Sequence, residues 1–257
     1  MNVLFSQVNT LVSTALLPLR PTLLWLAFLA VATTHAQQPF ITTWKTDYIG
    51  ASNSTSITIP TTGSGYNYDV DWNNDGIYDE SGLTGSVTHD FGVAGTYTIR
   101  IRGAFPQIYF NNTGDKRKMT NISQWGSIAW TSMEAAFQGC ENLQITTTDL
   151  PDLTGVTNLS EMFSGCTVLN GPTNIGSWDI SGVTTLSRMF VSNSFFNQPV
   201  GTWNTANVTD MESVFFAAAN FNQPLSNWNT AGVTTMRGMF YGNFAFNQAI
   251  GNWNTAN

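Results

Sequence analysis

Charge is what this sequence has least of. Only 10% of its 257 residues are Asp, Glu, Lys or Arg, against about 25% in ordinary soluble domains. Nine Lys and Arg set against 16 Asp and Glu leave a net charge of −7. That balance excludes nucleic-acid binding, which needs a clustered basic surface to meet the phosphates. The one dense basic run, Lys116-Arg117-Lys118, reads as a short solvated turn. Histidine is equally scarce, and His89 is the sole one beyond residue 36. No Gly-x-Ser-x-Gly elbow, His-Glu-x-x-His helix or phosphate loop is present, so no catalytic residue and no organic cofactor is expected. The carboxylates Glu134, Glu161, Asp179, Asp210 and Glu212 are too scattered in phase to make a paired acid and base.

Aromatic residues are plentiful instead, with nine Trp and 17 Phe, and they recur at a fixed interval. Trp178, Trp203, Trp228 and Trp253 keep step at 25 residues, as do Phe190, Phe215 and Phe240, and then Phe196, Phe221 and Phe246. A period in this range marks a solenoid, whose units bury their apolar side by stacking on one another. The pattern reaches back through Val156, Leu159, Met162, Phe163, Cys166 and Leu169 to Trp130, Met133, Ala136, Phe137, Cys140 and Leu143. Five units therefore cover residues 130–257. The array is expected to continue past Asn257, the chain being read as a piece of a longer protein. Within a unit, Met236, Met239 and Phe240 have the i, i+3, i+4 spacing of a helix with one buried stripe. Thr184, Thr209 and Thr234 stand where they would cap such helices. Trp203-Asn204-Thr205 reads as a short strand. The tryptophan files are expected to be core columns rather than a sugar-binding strip. The Asn197, Asn222, Asn247 and the Asn204, Asn229, Asn254 files are expected to satisfy backbone at the turns. Binding is left to variable positions such as Asp210, Glu212 and Arg237. Cys140 and Cys166 share one slot of successive units with Asn193, Ala218 and Asn243. Stacking could bring the two thiols within bridging distance, but a slot that accepts small residues without a partner favours two free buried thiols.

Residues 1–36 read as an export signal: Arg20 precedes the apolar run from Leu23 to Ala32, and Thr34-His35-Ala36 suits a signal peptidase. An apolar run of that length is too short to cross a membrane as a helix. The mature chain is then expected to be secreted or displayed on a cell surface, without a transmembrane span.

Residues 37–110 carry alternating stretches such as Tyr66, Tyr68, Val70 and Trp72, and later Tyr97 to Arg102, separated by glycine turns. They predict a small antiparallel β-sandwich. Tyr68-Asp69-Val70-Asp71-Trp72, followed by His89-Asp90-Phe91-Gly92 and Ala94 to Ile99, resembles the polycystic-kidney-disease (PKD) domain family. That resemblance implies a β-sandwich spacer or adhesive module. Asn73-Asn74-Asp75-Gly76 replaces the family's Gly-Asp-Gly. In doing so it sets Asp71, Asn73, Asp75 and Asp79 at the spacing of a structural calcium loop. The same residue types are ordinary turn formers, and Gly82 stands where a closing Glu would be needed. Residues 111–129 read as a linker.

The core offsets of residues 156–169, together with Phe221-Asn222-Gln223-Pro224-Leu225 and Trp228-Asn229-Thr230, resemble the BspA-like leucine-rich repeats of bacterial and mycoplasma surface proteins. The resemblance implies a solenoid of short helix plus short strand units and a role in binding extracellular, host or matrix proteins. The expected fold is thus β-rich α/β, a PKD-like β-sandwich followed by a leucine-rich-repeat-like solenoid. The expected function is non-catalytic adhesion. A glycan-binding module using exposed Trp, or a structural stalk, are the alternatives.

Overall fold

The computed structural model describes residues 37–256, and the export segment expected over residues 1–36 lies outside them. β1 (Phe40–Lys45) runs through a six-stranded sheet, antiparallel to β6 (Thr96–Ala104) on one side and to β7 (Met119–Gln124) on the other. Beyond β6 come β3 (Asn67–Asp71) and β4 (Glu80–Leu83), and beyond β7 comes β8 (Gln144–Ile145), giving the order β4-β3-β6-β1-β7-β8. A second sheet pairs β2 (Ser56–Ile59) with β5 (Val87–Asp90) and contributes the buried Ile57 and Ile59 to the core. Burial alternates along β1, with Phe40, Thr42 and Trp44 inward, as the two-residue period of a strand requires.

The stretch expected to be a linker holds β7. It was hidden because Met119, Ile122 and Trp125, all fully buried, fall three apart and lack the two-residue alternation of a strand. Its pairing with β8 is parallel, Asn121 to Gln144 and Ile122 to Ile145. At β7, then, the antiparallel module turns into the parallel array. Residues 110–112 already behave as a coil, since the Phe110, Asn111 and Asn112 N–H groups donate to the carbonyls of Ala136, Ala135 and Gln138. One continuous hydrophobic core runs from Phe40 to Met239.

Among the described residues there is no α-helix, and one short 3-10 turn spans Ile175–Ser177. The fold is nearly all-β, and the helix-plus-strand units read from the spacing are not formed. The backbone shows why. Amides in each coil alternate between two tasks: Leu159, Glu161, Phe163 and Gly165 donate to carbonyls of the next coil, Thr185, Ser187, Met189 and Val191, at 3.2, 2.9, 3.0 and 2.8 Å. The intervening Met162, Ser164 and Cys166 donate within the coil, to Leu159, Glu161 and Phe163. The chain can point successive amides in opposite directions only by leaving the helical region regularly. It does so at two positions per coil: Ala135, Glu161, Arg188, Ser213 and Gly238 share one left-handed site, and Gly139, Gly165, Ser192, Ala217 and Gly242 share the other. A non-glycine residue there costs about 1–2 kcal/mol, so the inter-coil ladder must outweigh it. Consecutive turns bury residues three and four apart just as a helix does, which is how the spacing misleads.

The threonines expected to cap helices stitch coils instead. Thr184, Thr209 and Thr234 donate through N–H to Thr157, Thr184 and Thr209 carbonyls, each at 2.8 Å, and their hydroxyls reach the same acceptors.

Candidate binding face of the repeat array

The repeated columns are internal. Phe137, Phe163, Phe190, Phe215 and Phe240 stack along the array with centroids 5.7, 5.9, 5.7 and 5.8 Å apart. Phe196, Phe221 and Phe246 form a second file at 5.8 and 6.1 Å. Trp203, Trp228 and Trp253 form a third at 6.3 and 6.4 Å, with rings within 10° of parallel. Trp203 and Trp228 are 2% and 3% exposed, which denies a sugar ring any stacking surface on them. Each indole N–H is also committed, Trp203 to the Ile175 carbonyl, Trp228 to Val200 and Trp253 to Leu225. Stacked pairs of this kind contribute about 0.5–1.5 kcal/mol beyond their buried area.

The asparagine files also serve the coils. Asn197 Oδ1 accepts the Asn222 N–H at 3.0 Å and Asn222 Oδ1 accepts that of Asn247 at 2.9 Å, while Gln223 and Gln248 brace the same oxygens. Asn204, Asn229 and Asn254 cap their own turns by accepting the N–H two residues on. Cys140 and Cys166 are free and buried, and burial pushes both thiols well above their ordinary range. Neither supplies a reactive thiolate.

A strip that borders the left-handed sites remains at the surface. Arg188 lies between Glu161 and Glu212, at 3.5 and 3.2 Å, so a line of alternating charge crosses three coils. The hydrogen bond that Arg188 donates to Glu212 raises the Arg188 pKa, with Glu161 adding to it. One coil further along, Arg237 is exposed and has no ion-pair partner among the described residues. Beside this line Phe216 stacks on Tyr241 at 5.0 Å, Tyr241 being 70% exposed. Arg188, Val191, Glu212, Ser213, Phe216 and Arg237 enclose a groove of about 280 Å³. Of the variable positions picked out in the sequence, Glu212 and Arg237 meet here. Asp210 is spent on structure, accepting the Glu212 N–H at 2.9 Å and bridging Thr185 and Thr235. Phe216 and Tyr241 were missed. Their signal was available, as an aromatic pair 25 residues apart directly after a core phenylalanine.

The loop with calcium-like spacing is closed by its own hydrogen bonds. Asp71 accepts the Gly76 N–H at 2.8 Å and the Asp75 N–H at 3.3 Å, Asn73 accepts Asp75 at 3.0 Å, Asp75 accepts Ile77 at 2.7 Å, and Asp79 accepts Trp72 at 2.8 Å. Arg100 brings the positive charge: its Nε is 3.7 Å from Asp71 and it also donates to Asn74. Among the described residues no three His, Cys, Asp or Glu side chains converge as a metal site. The four oxygen donors are disposed as a self-capped turn with the Arg100 guanidinium beside it.

One family model matches the chain, described as Mycoplasma protein of unknown function, DUF285. It covers residues 107–173 and 157–257, together more than half of the sequence. The chain belongs to the DUF285 family. The DUF285 match begins at residue 107, just ahead of the first inter-coil bonds at Phe110 to Asn112. The family boundary and the start of coil-type bonding therefore nearly coincide, some twenty residues before the first unit legible in the sequence. No curated protein and no solved structure matches this DUF285 chain. No helix among its described residues is long and apolar enough to cross a membrane.

Proposed function

We propose that this chain is a non-catalytic protein-binding module of a secreted or cell-surface bacterial protein, related to the BspA-like repeats its sequence resembles. Its partner is an extracellular, host or matrix protein, and the strip around Arg188, Glu212, Phe216 and Arg237 beside the inter-coil ladder, the ladder face, is where that partner docks. The observation that carries this reading is the division of labour in the coils. Trp, Phe, Asn and Thr files are consumed by coil-to-coil contacts. Side chains outside those files meet around Arg188, Glu212, Phe216 and Arg237. A strip that mixes exposed aromatic and Arg residues has the composition of interface hot spots. A glycan-binding role would need open aromatic faces, and Trp203 and Trp228 are buried.

The test is a panel of immobilised extracellular-matrix and host-surface proteins probed with the full chain and with Phe216→Ser/Arg237→Glu. Binding of the parent to a panel member, weakened about tenfold or more in the variant, supports the reading. Binding that is indifferent to the double substitution would remove the ladder face from consideration, and no binding by a folded parent would favour a structural stalk.

A further inference from the structure

A second surface, on the N-terminal module and independent of the ladder face, has its own ligand chemistry. Trp72, Asn73, Asp79, His89, Asp90, Phe91 and Tyr97 line a cleft of about 280 Å³. Four of them carry rings held in contact. His89 lies flat on Trp72 at 4.4 Å and 12°, meets Phe91 edge-on at 4.6 Å, and Phe91 lies flat on Tyr97 at 3.8 Å. The assembly is fixed before any ligand arrives: the Tyr97 hydroxyl donates to the Val93 carbonyl, and the Phe91 N–H donates to Thr55. The remaining lining side chains are two exposed carboxylates and an exposed amide, with no Lys or Arg among them. Both carboxylates are oriented by the backbone, Asp79 through the Trp72 N–H at 2.8 Å and Asp90 through the Gly92 N–H at 2.9 Å. A cleft with charge of one sign and walls of low polarity concentrates its field on an incoming ion of the opposite sign. Aromatic rings add their own attraction for organic cations. His89 lies between the Trp72 ring and Glu80, 3.8 Å from the Glu80 carboxylate, which is itself held by the Trp72 indole N–H at 3.1 Å.

We propose that this cleft binds the cationic end of a lysine or arginine side chain from a partner polypeptide, with Asp79 and Asp90 pairing the charge and Phe91 and His89 receiving the alkyl stem. The chain would thus hold a basic segment on its N-terminal module.

The experiment is an amide NMR titration of the full chain with Nα-acetyl-lysine methylamide and Nα-acetyl-arginine methylamide, using the isosteric norleucine compound as the uncharged control. Expected are saturable shifts confined to the amides around Asp79, His89, Asp90 and Phe91, with the control binding about tenfold more weakly or worse. Asp79→Asn/Asp90→Asn keeps the oxygens that accept the Trp72 and Gly92 N–H groups, so its spectrum elsewhere should match the parent while affinity for both cationic probes falls about tenfold. Equal binding of the norleucine control would overturn the proposal in favour of a merely apolar slot. Absence of shifts, or unchanged affinity in the folded double variant, would overturn it outright.

Discussion

The two halves of this molecule solve the same problem differently. In the N-terminal module each contact occurs once: Lys118, fully buried, donates to the Ser52, Asn53 and Ser56 carbonyls and the Ser52 hydroxyl, and lies 3.9 Å from Asp115. Asp115 in turn accepts from the Ser52 and Thr58 N–H groups and the Ser52 hydroxyl. Burial lowers the Lys118 pKa, against the pull of Asp115. In the array, by contrast, contacts recur: the last three coils repeat the Phe, Trp, Asn and Thr contacts of their neighbours. A network of single contacts concentrates risk in a few side chains, whereas a periodic one spreads it over neighbours on both sides.

Substitutions can break this contrast. Phe215 touches Phe190, Phe221 and Phe240, so Phe215→Ala should cost about 3–5 kcal/mol. Hydrogen exchange should show lost protection in the coils on both sides, while β1 and β6 keep theirs. Lys118→Met strands Asp115 as a buried charge and should cost about 3 kcal/mol or more. Its increased exchange should be confined to residues 52–58 and 115–118. Equal spread of the two effects would abolish the distinction.

A finer comparison lies inside the array, at equivalent left-handed sites. Gly165 has φ +75°, and a Cβ there would meet nothing closer than 3.4 Å, so Gly165→Ala isolates the backbone cost and should destabilise by about 1 kcal/mol. Ala217→Gly, at φ 53°, should give back part of that strain, a few tenths to about 1 kcal/mol. Denaturant midpoints at constant m-value measure both, and opposite signs are required. The smallest effect expected is on the 71–79 loop: calorimetric titration with calcium should give a flat trace, because Arg100 and the loop's own amides already hold the oxygens of Asp71 and its neighbours. A saturable heat would show that the guanidinium yields its place.

Much of the array was legible because identity at a fixed period reports stacking directly, whatever the local backbone. The Phe and Trp files, the asparagine caps and the unbridged thiols could all be anticipated from columns of equivalent residues. The conformation within a coil was not legible, because burial three and four residues apart is common to a helix and to consecutive turns. The telltale is conformational: Glu161, Arg188 and Ser213 occupy a site that takes Gly238 in the next coil, and only the glycine announces it. β7 escaped notice for a related reason, its buried residues following the coil spacing rather than that of a strand. On the candidate face, the charges of Glu212 and Arg237 were visible, but the meeting of Arg188 with Phe216 depends on coil register. Phe216 and Tyr241, by contrast, carried a repeat signal of their own, an aromatic pair 25 residues apart.

The alternating amides carry one further consequence. Because each coil offers its successor the same row of donors and carbonyls, coils are interchangeable parts. Duplicating or deleting a whole 25-residue module would leave the remaining junctions chemically as they were. A single-residue insertion within the ladder segment would throw the Phe, Trp and Asn files out of step at once. Length in such a protein can therefore change in evolution by whole quanta, and each added quantum lengthens the outer strip without redesigning what lies beneath it.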